Sequence, residues 1–223
     1  QIRWSDPSRF SYVTKPASMK INDLPARLLD LALAESDSRL KLIRVGVALH
    51  TVADTFSHFG FSGRHNDENN VGKIWVAEKD GGWDYKFFQT IGDIFVPRIG
   101  HVEALSYPDL PFQTWRYRDS QKKLKTRKNT DSSLEGARLI YRFLKKLNDG
   151  ADHDKDLETD YPKEYEAIRR LMGKPGDKGS RCERWRKHTG ARPYEKLKWR
   201  EEALLGDLDW DDIHFSDSCQ VSI

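Results

Sequence analysis

The sequence predicts a mainly α protein, a helical bundle-like domain with long loops and one small β-hairpin. Three observations lead there. The long periodic segments all repeat at helical spacing. The clearest is the run in which Leu134, Ala137, Leu139, Ile140, Phe143, Leu144 and Leu147 share one face. Strand-like patterning is confined to Lys73 to Phe88, where Lys-Ile-Trp-Val-Ala, a turn at Asp80-Gly81-Gly82 and a return from Trp83 read as a hairpin. No internal repeat points to a solenoid or propeller.

Taken in order, Asn22-Asp23 caps a first helix from Leu24 to Glu35, and Ser36-Asp37-Ser38 breaks it. A second helix runs from about Arg39 to Phe59 and stops at Gly60, a residue suited to the left-handed position after a helix. A polar loop follows from Phe61 to Asp67. Pro108 and Pro111 predict an ordered, non-helical loop, and Trp115 to Tyr117 packs back on the core. Ser132-Ser133-Leu134-Glu135 matches a capping box for the helix ending near Asn148-Asp149-Gly150. Beyond a polar link at 151–160, a short helix is expected from Pro162 to Met172, a connector at 173–179, and one or two helices between Glu183 and Leu205, split near Gly190 to Pro193. The chain therefore divides into a helical metal-site domain, 1–150, and a polar helical C-terminal extension, 151–223.

Composition narrows the function classes. The chain has 223 residues, with 33% charged and 37% hydrophobic side chains, so it is polar for one ordinary domain. Seven Trp, eight Tyr and ten Phe supply the bulk of a core. No run of 18 apolar residues is present to span a membrane. A net charge of +3 is too balanced to argue for nucleic acid by itself. The basic residues cluster at Gln121 to Lys128 and at Arg181 to Arg200, where Trp185, Tyr194 and Trp199 are interleaved. Such a mixture can bind phosphates and stack bases, but a solvated helix face explains it more simply. Cys182 and Cys219 belong to no CxxC pair. They can close one disulfide or stand as free thiols, so secreted and cytoplasmic locations both stay open. The start at Gln1, without an initiator Met, reads as a processed or truncated end, which leaves room for an upstream segment or a partner chain.

The candidate chemistry lies in Gly46-Val47-Ala48-Leu49-His50-Thr51-Val52-Ala53-Asp54-Thr55-Phe56-Ser57-His58. His50, Asp54 and His58 stand four residues apart. Each step turns a helix by about 400°, so the three form one stripe, roughly 6 Å from turn to turn. Imidazole and carboxylate are ligands for zinc, and the apolar neighbours Leu42, Val45, Val47, Leu49, Val52 and Phe56 suggest that the stripe is buried. A buried carboxylate without a counter-ion is costly, and a cation removes that cost. His50 and Asp54 are the first ligand candidates. His58 is a ligand, a second-shell group or a general acid/base, and Asp54 shares the catalytic assignment.

His101 follows Pro97-Arg98-Ile99-Gly100 and is a further ligand candidate, level with a structural hydrogen-bonding role. Glu103 reads as a solvated carboxylate. Asp109 reads as a turn residue whose carboxylate could orient a ligand histidine. Arg64 and Arg98 flank the ligands and could hold a phosphate. His65 reads as readily as a solvent contact, and His153, His188 and His214 as surface residues. A zinc ion with an open position lowers the pKa of its water and favours hydrolysis of an ester, amide or phosphodiester.

The blocks VGVALHTVADTFSHFGFSGRHNDEN and IGHVEALSYPDLPF resemble an uncharacterised bacterial family known only as a domain of unknown function, over about Leu42 to Trp115. More distantly, the His-x-x-x-Asp helix is similar to the superfamily of zinc-dependent phospholipase C and single-strand nucleases. That resemblance implies an all-helical bundle, zinc ligands at His50 and Asp54, and a phosphodiester substrate, phospholipid or nucleic acid. In those enzymes the next His stands further on in a Pro-containing turn, where this chain has Phe59-Gly60-Phe61. The function expected is a zinc-dependent hydrolase of phosphodiesters. The alternative is a non-catalytic, toxin-associated or partner-binding domain that keeps the helix as a scaffold.

Overall fold

The computed structural model describes residues 13–18, 24–86, 98–149 and 156–203. Helix α1, Leu24–Leu33, and helix α2, Ser38–Ser57, pack against each other at the amino-terminal side. Asp37 caps α2, its carboxylate accepting from the backbone N–H groups of Arg39 and Leu40, both at 2.9 Å. The expected cap at Asn22-Asp23 lies outside the described residues. Strands β1, Gly72–Ala77, and β2, Trp83–Tyr85, make the expected hairpin. It is only half of a sheet. Strands β3, Thr114–Arg118, and β4, Leu124–Lys128, complete an antiparallel sheet in the order β2-β1-β3-β4. Helix α3, Asn129–Asp149, follows β4 directly. The short α4, Leu157–Asp160, then α5, Pro162–Gly173, α6, Lys178–Thr189, and α7, Lys196–Ala203, end the described chain.

The mainly α expectation is therefore corrected. Among the described residues helix makes up 55% and strand 12%, and the four-stranded sheet carries its own core, so the fold is mixed α/β rather than a helical bundle. The second hairpin carries no clear signal in the sequence, for a different reason in each strand. In β3, Trp115 and Tyr117 point inward and Arg116 faces out, a period-two pattern over too few residues to stand out. In β4 only Arg127 is buried, so Leu-Lys-Thr-Arg-Lys shows no apolar face at all. Its lysines suit an edge strand, where charge discourages pairing with another chain.

Three apolar clusters organise the molecule. Leu29 and Ala32 of α1, Val45, Ala48, Val52 and Phe56 of α2, and Phe143 of α3 form the first. Phe61, Val71, Ile74, Ala104, Tyr107, Trp115 and Tyr117 form the second, on one face of the sheet. Leu134, Leu157 and Tyr165 join α3 to α4 and α5 in the third. Helices α2 and α3 meet closely at Gly136, where a Cβ would lie 3.1 Å from the Phe56 ring. Helix α3 begins at Asn129, three residues before the capping box expected at Ser132. It grows straight out of the paired strand β4, so the first hydrogen bond of its amino-terminal residue goes to Gln113.

The expectation of a buried α2 stripe is also overturned. Leu42 and Val47 are exposed, and the His50 side chain keeps 60% of its accessible surface. Only one face of α2 packs into the first cluster. The His50 face looks instead across a cavity towards α3, α5 and α6.

Candidate metal centre beside an apolar cavity

The carboxyl-terminal end of α2 delivers His58 to the site. The backbone N–H of His58 donates to the Asp54 carbonyl, and Gly60 takes φ 86°, a left-handed conformation that glycine tolerates best. The chain then turns into the sheet core at Phe61. A second segment returns to the same place. Gly100, at φ 58°, precedes His101, and two single 3-10 turns, Val102–Ala104 and Tyr107–Asp109, carry the chain to Asp109. The Nε2 of His58 lies 2.9 Å from Oδ1 of Asp109, and the Nε2 of His101 lies 3.7 Å from Oδ2. The two imidazole rings are 4.4 Å apart between centroids.

One donor atom from each of His58, His101 and Asp109 falls within 4.8 Å of the other two. A tetrahedral ion with ligands at about 2.1 Å separates them by roughly 3.4 Å, so small rotations suffice to close around it. Two imidazoles and a carboxylate leave a fourth position free, as catalytic zinc sites do. The Nδ1 of His101 lies 2.9 Å from the Leu105 carbonyl, to which it donates, and this directs the Nε2 lone pair towards Asp109. Leu105 itself has φ 53° and ψ −136°, an unfavourable conformation for a branched side chain, and it presents the carbonyl to that ring.

Buried side chains from β4 and α3 fix the backbone on both sides of two ligands. The Arg127 guanidinium donates to the Ser57 carbonyl at 2.6 Å and the Phe59 carbonyl at 3.3 Å, which bracket His58. It stacks 4.0 Å over the Phe59 ring, and burial lowers its pKa to about 10. The Asn129 amide donates to the carbonyls of Tyr107, Pro108 and Leu110, which bracket Asp109, and its oxygen accepts from the Trp115 indole at 3.1 Å. Neither residue was a candidate from sequence. Arg127 sits in the basic run of Gln121 to Lys128, which reads as solvated, and Asn129 follows it directly; only the burial of alternate positions distinguishes them.

The electrostatics follow from these contacts. The hydrogen bond to Asp109 raises the His58 pKa above its ordinary value, against the desolvation that lowers it, with Asp54 and Asp109 assisting and Arg127 opposing. For Asp109, burial alone would raise the pKa. The His58 hydrogen bond and the charges of His101, His58 and Arg127 outweigh it and hold the carboxyl below its ordinary range.

The other candidates separate clearly. His50 and Asp54 pair at 3.4 Å along the same face of α2, and both line the cavity, but among the described residues the three-donor cluster is His58, His101 and Asp109. Asp109 thus stands as a direct donor candidate. Glu103 is no solvated carboxylate: it is 4% exposed and accepts from the Val71 N–H at 2.7 Å and from Arg98 at 3.2 Å. Arg98 is committed to Glu103 and Asp67. Neither Arg98 nor the exposed Arg64 lines the cavity. His65 and His188 are exposed, and His153 and His214 lie outside the described residues. Cys182 on α6 is exposed and has no disulfide partner among the described residues, and Cys219 lies outside them.

The cavity has a volume of about 770 Å³, within the range of small-molecule sites. Its lining crosses the expected boundary at residue 150: Ile140 and Leu144 of α3 face it together with Ile168 and Met172 of α5 and Trp185 of α6. Among the described residues, no helix is long and apolar enough to cross a membrane.

Fold and site together define a mixed α/β protein with a His-His-carboxylate cluster on the wall of an apolar cavity. The chain belongs to a family of unknown function, DUF6765, whose family model matches residues 6–217. No curated protein and no solved structure matches it significantly. None of these comparisons supports the expected likeness to zinc-dependent phospholipase C and single-strand nucleases.

Proposed function

We propose that the chain is a metal-dependent hydrolase in which His58, His101 and Asp109 hold the ion, with zinc the expected metal. The observation that carries this reading is the convergence of three donor atoms within 4.8 Å on a cavity wall. A bound zinc would supply an electrophile and acidify a water at its free position. Within the chain, the Leu105 carbonyl orients His101, and Arg127 and Asn129 hold the backbone that carries His58 and Asp109. Asp54, one helical turn before His58 on α2 and paired with His50, would take a proton from that water. Of the two roles expected for His58, ligand and general acid/base, this reading takes the ligand. The bond class carried forward from the sequence is the phosphodiester.

The test combines metal analysis of protein purified without chelator with a panel of phosphodiesters and carboxylic esters. Wild type, His101→Ala and Asp54→Ala are compared with and without added zinc. About one equivalent of zinc, lost in His101→Ala, and turnover lost in Asp54→Ala with the zinc retained, is the expected result. Iron in place of zinc would move the reading towards oxygen chemistry, which the same donor set also serves. No metal and no turnover would favour the second reading, a partner-binding domain. Helix α6 supports that alternative, because none of its residues is buried and its last turn is basic.

A further inference from the structure

The apolar cavity has a chemistry of its own. It extends along α2 from His58 to His50, eight residues or about 12 Å apart. Opposite that wall stand Ile140, Leu144, Ile168, Met172 and Trp185. Leu144 keeps 41% of its surface exposed, so this concave wall presents apolar area that a ligand can cover. Among the described lining residues there is no Lys or Arg, and the charged ones are Asp54 and Asp109 beside the histidines. A nucleic acid needs a basic track for its phosphates, with aromatic platforms for its bases. This wall carries aromatic rings in Phe56, Tyr141 and Trp185 but no basic track for a run of phosphates.

We infer that the cavity binds a single apolar chain, and that the substrate is an amphiphile whose polar head reaches the His58–His101–Asp109 cluster while its chain lies along α2 towards His50. Nucleic acid is excluded from this site. The inference deepens the hydrolase reading, and it rests on that reading only for the fate of the head group.

Sodium hexanoate, octanoate and decanoate, each below its micelle concentration, are titrated calorimetrically into the metal-free full chain. Affinity should tighten about three- to four-fold per methylene, the increment expected for burying each CH₂, with one site per chain. Ala53→Phe fills the cavity from the exposed side of α2, between His50 and Asp54, and should weaken decanoate at least ten-fold. Leu144→Asn, at an exposed position of α3, should weaken it several-fold, and it serves where the phenylalanine variant melts early. A single-stranded 12-mer should not displace decanoate. Equal affinities for hexanoate and decanoate, decanoate binding unchanged in both variants, or displacement by the oligonucleotide would overturn the inference. The metal-free titration separates the two readings. Chain-length dependence without turnover of any ester sinks the hydrolase alone. Turnover without chain-length dependence in binding sinks the amphiphile alone.

Discussion

Two polar clusters grow from the same pair of segments, the chain after α2 and the chain from Arg98 to Asp109, and they are built in opposite ways. In the first, the buried Asn69 side chain accepts from the Ser62 N–H at 2.7 Å and donates to the carbonyls of Ser62, Arg64 and Arg98. Glu103 beside it is closed by Val71 and Arg98. Every strong valence is used inside the protein, so nothing is left for a ligand. In the second, His58, His101 and Asp109 satisfy one another incompletely and face a cavity. Glu103 and His101 are two residues apart, yet one is architecture and the other has a donor atom to spare. Residue type does not separate these roles. The number of partners within the protein does.

This contrast is sharpest under substitution. Asn69→Ala orphans the buried Ser62 N–H and removes a donor from the carbonyls of Ser62, Arg64 and Arg98, of which Ser62 and Arg98 keep the Gly100 and Asn66 N–H groups, and it should cost about 3 kcal/mol of stability by denaturant unfolding. Asp109→Ala should leave stability within about 1 kcal/mol, since that carboxylate is partly exposed. The same change should weaken zinc binding at least about 100-fold by competition with a chromophoric chelator. If Asp109→Ala unfolds the protein as readily as Asn69→Ala while zinc affinity stays unchanged, the division between the clusters is wrong.

Asn129 belongs to both kinds at once, and its variant probes where they join. Asn129→Ala removes the partner of the Trp115 indole and of the Pro108 carbonyl, and one of two donors from the Tyr107 and Leu110 carbonyls, so about 2 kcal/mol of stability should be lost. Displacing Asp109 should also weaken zinc about ten-fold, as is usual when the support of a ligand is removed. Loss of stability with zinc affinity unchanged would confine Asn129 to the sheet core.

Much of the helical scaffold is legible in the sequence. The i, i+4 spacing of His50, Asp54 and His58 picks out the helix whose end carries one member of the candidate cluster, and Gly60 marks its end. What spacing cannot convey is how far each turn reaches: of that stripe, only the residue at the helix end meets the loop returning from Gly100. His101 is legible from its setting, and Asp109 as a partner of a histidine. The sheet is half legible, because the hairpin of Trp75 and Trp83 has a turn signature, whereas β4 buries a single charged residue. Arg127 and Asn129 leave no local signal. Their roles depend on carbonyls that lie tens of residues away in the chain, 70 in the case of Arg127 and Ser57.

The smallest effect is the response of the open cluster to pH, and here the protein alone and the metal-bound protein should diverge. With its folded-state pKa raised above 6.5, His58 contributes stability that is fully present below pH 6.5 and is lost as pH rises through the raised value. Asp109, lowered below 3.8, contributes stability present above pH 3.8 and lost as pH falls through the lowered value. The metal-free cluster thus contributes most between about pH 4 and 6.5, by less than about 1 kcal/mol given its exposure to solvent. Zinc requires the opposite state of His58, because a protonated imidazole cannot ligate. Between pH 6 and pH 8, the cluster's contribution to the metal-free protein should therefore fall slightly while zinc affinity rises, and the gap between melting temperatures with and without zinc should widen. The cluster of Asn69 and Glu103 provides the control: Asp109→Ala should abolish the widening, although Asn69 and Glu103 keep all their partners. A gap that narrows with rising pH, or one that persists in Asp109→Ala, would place the ion somewhere other than between His58, His101 and Asp109.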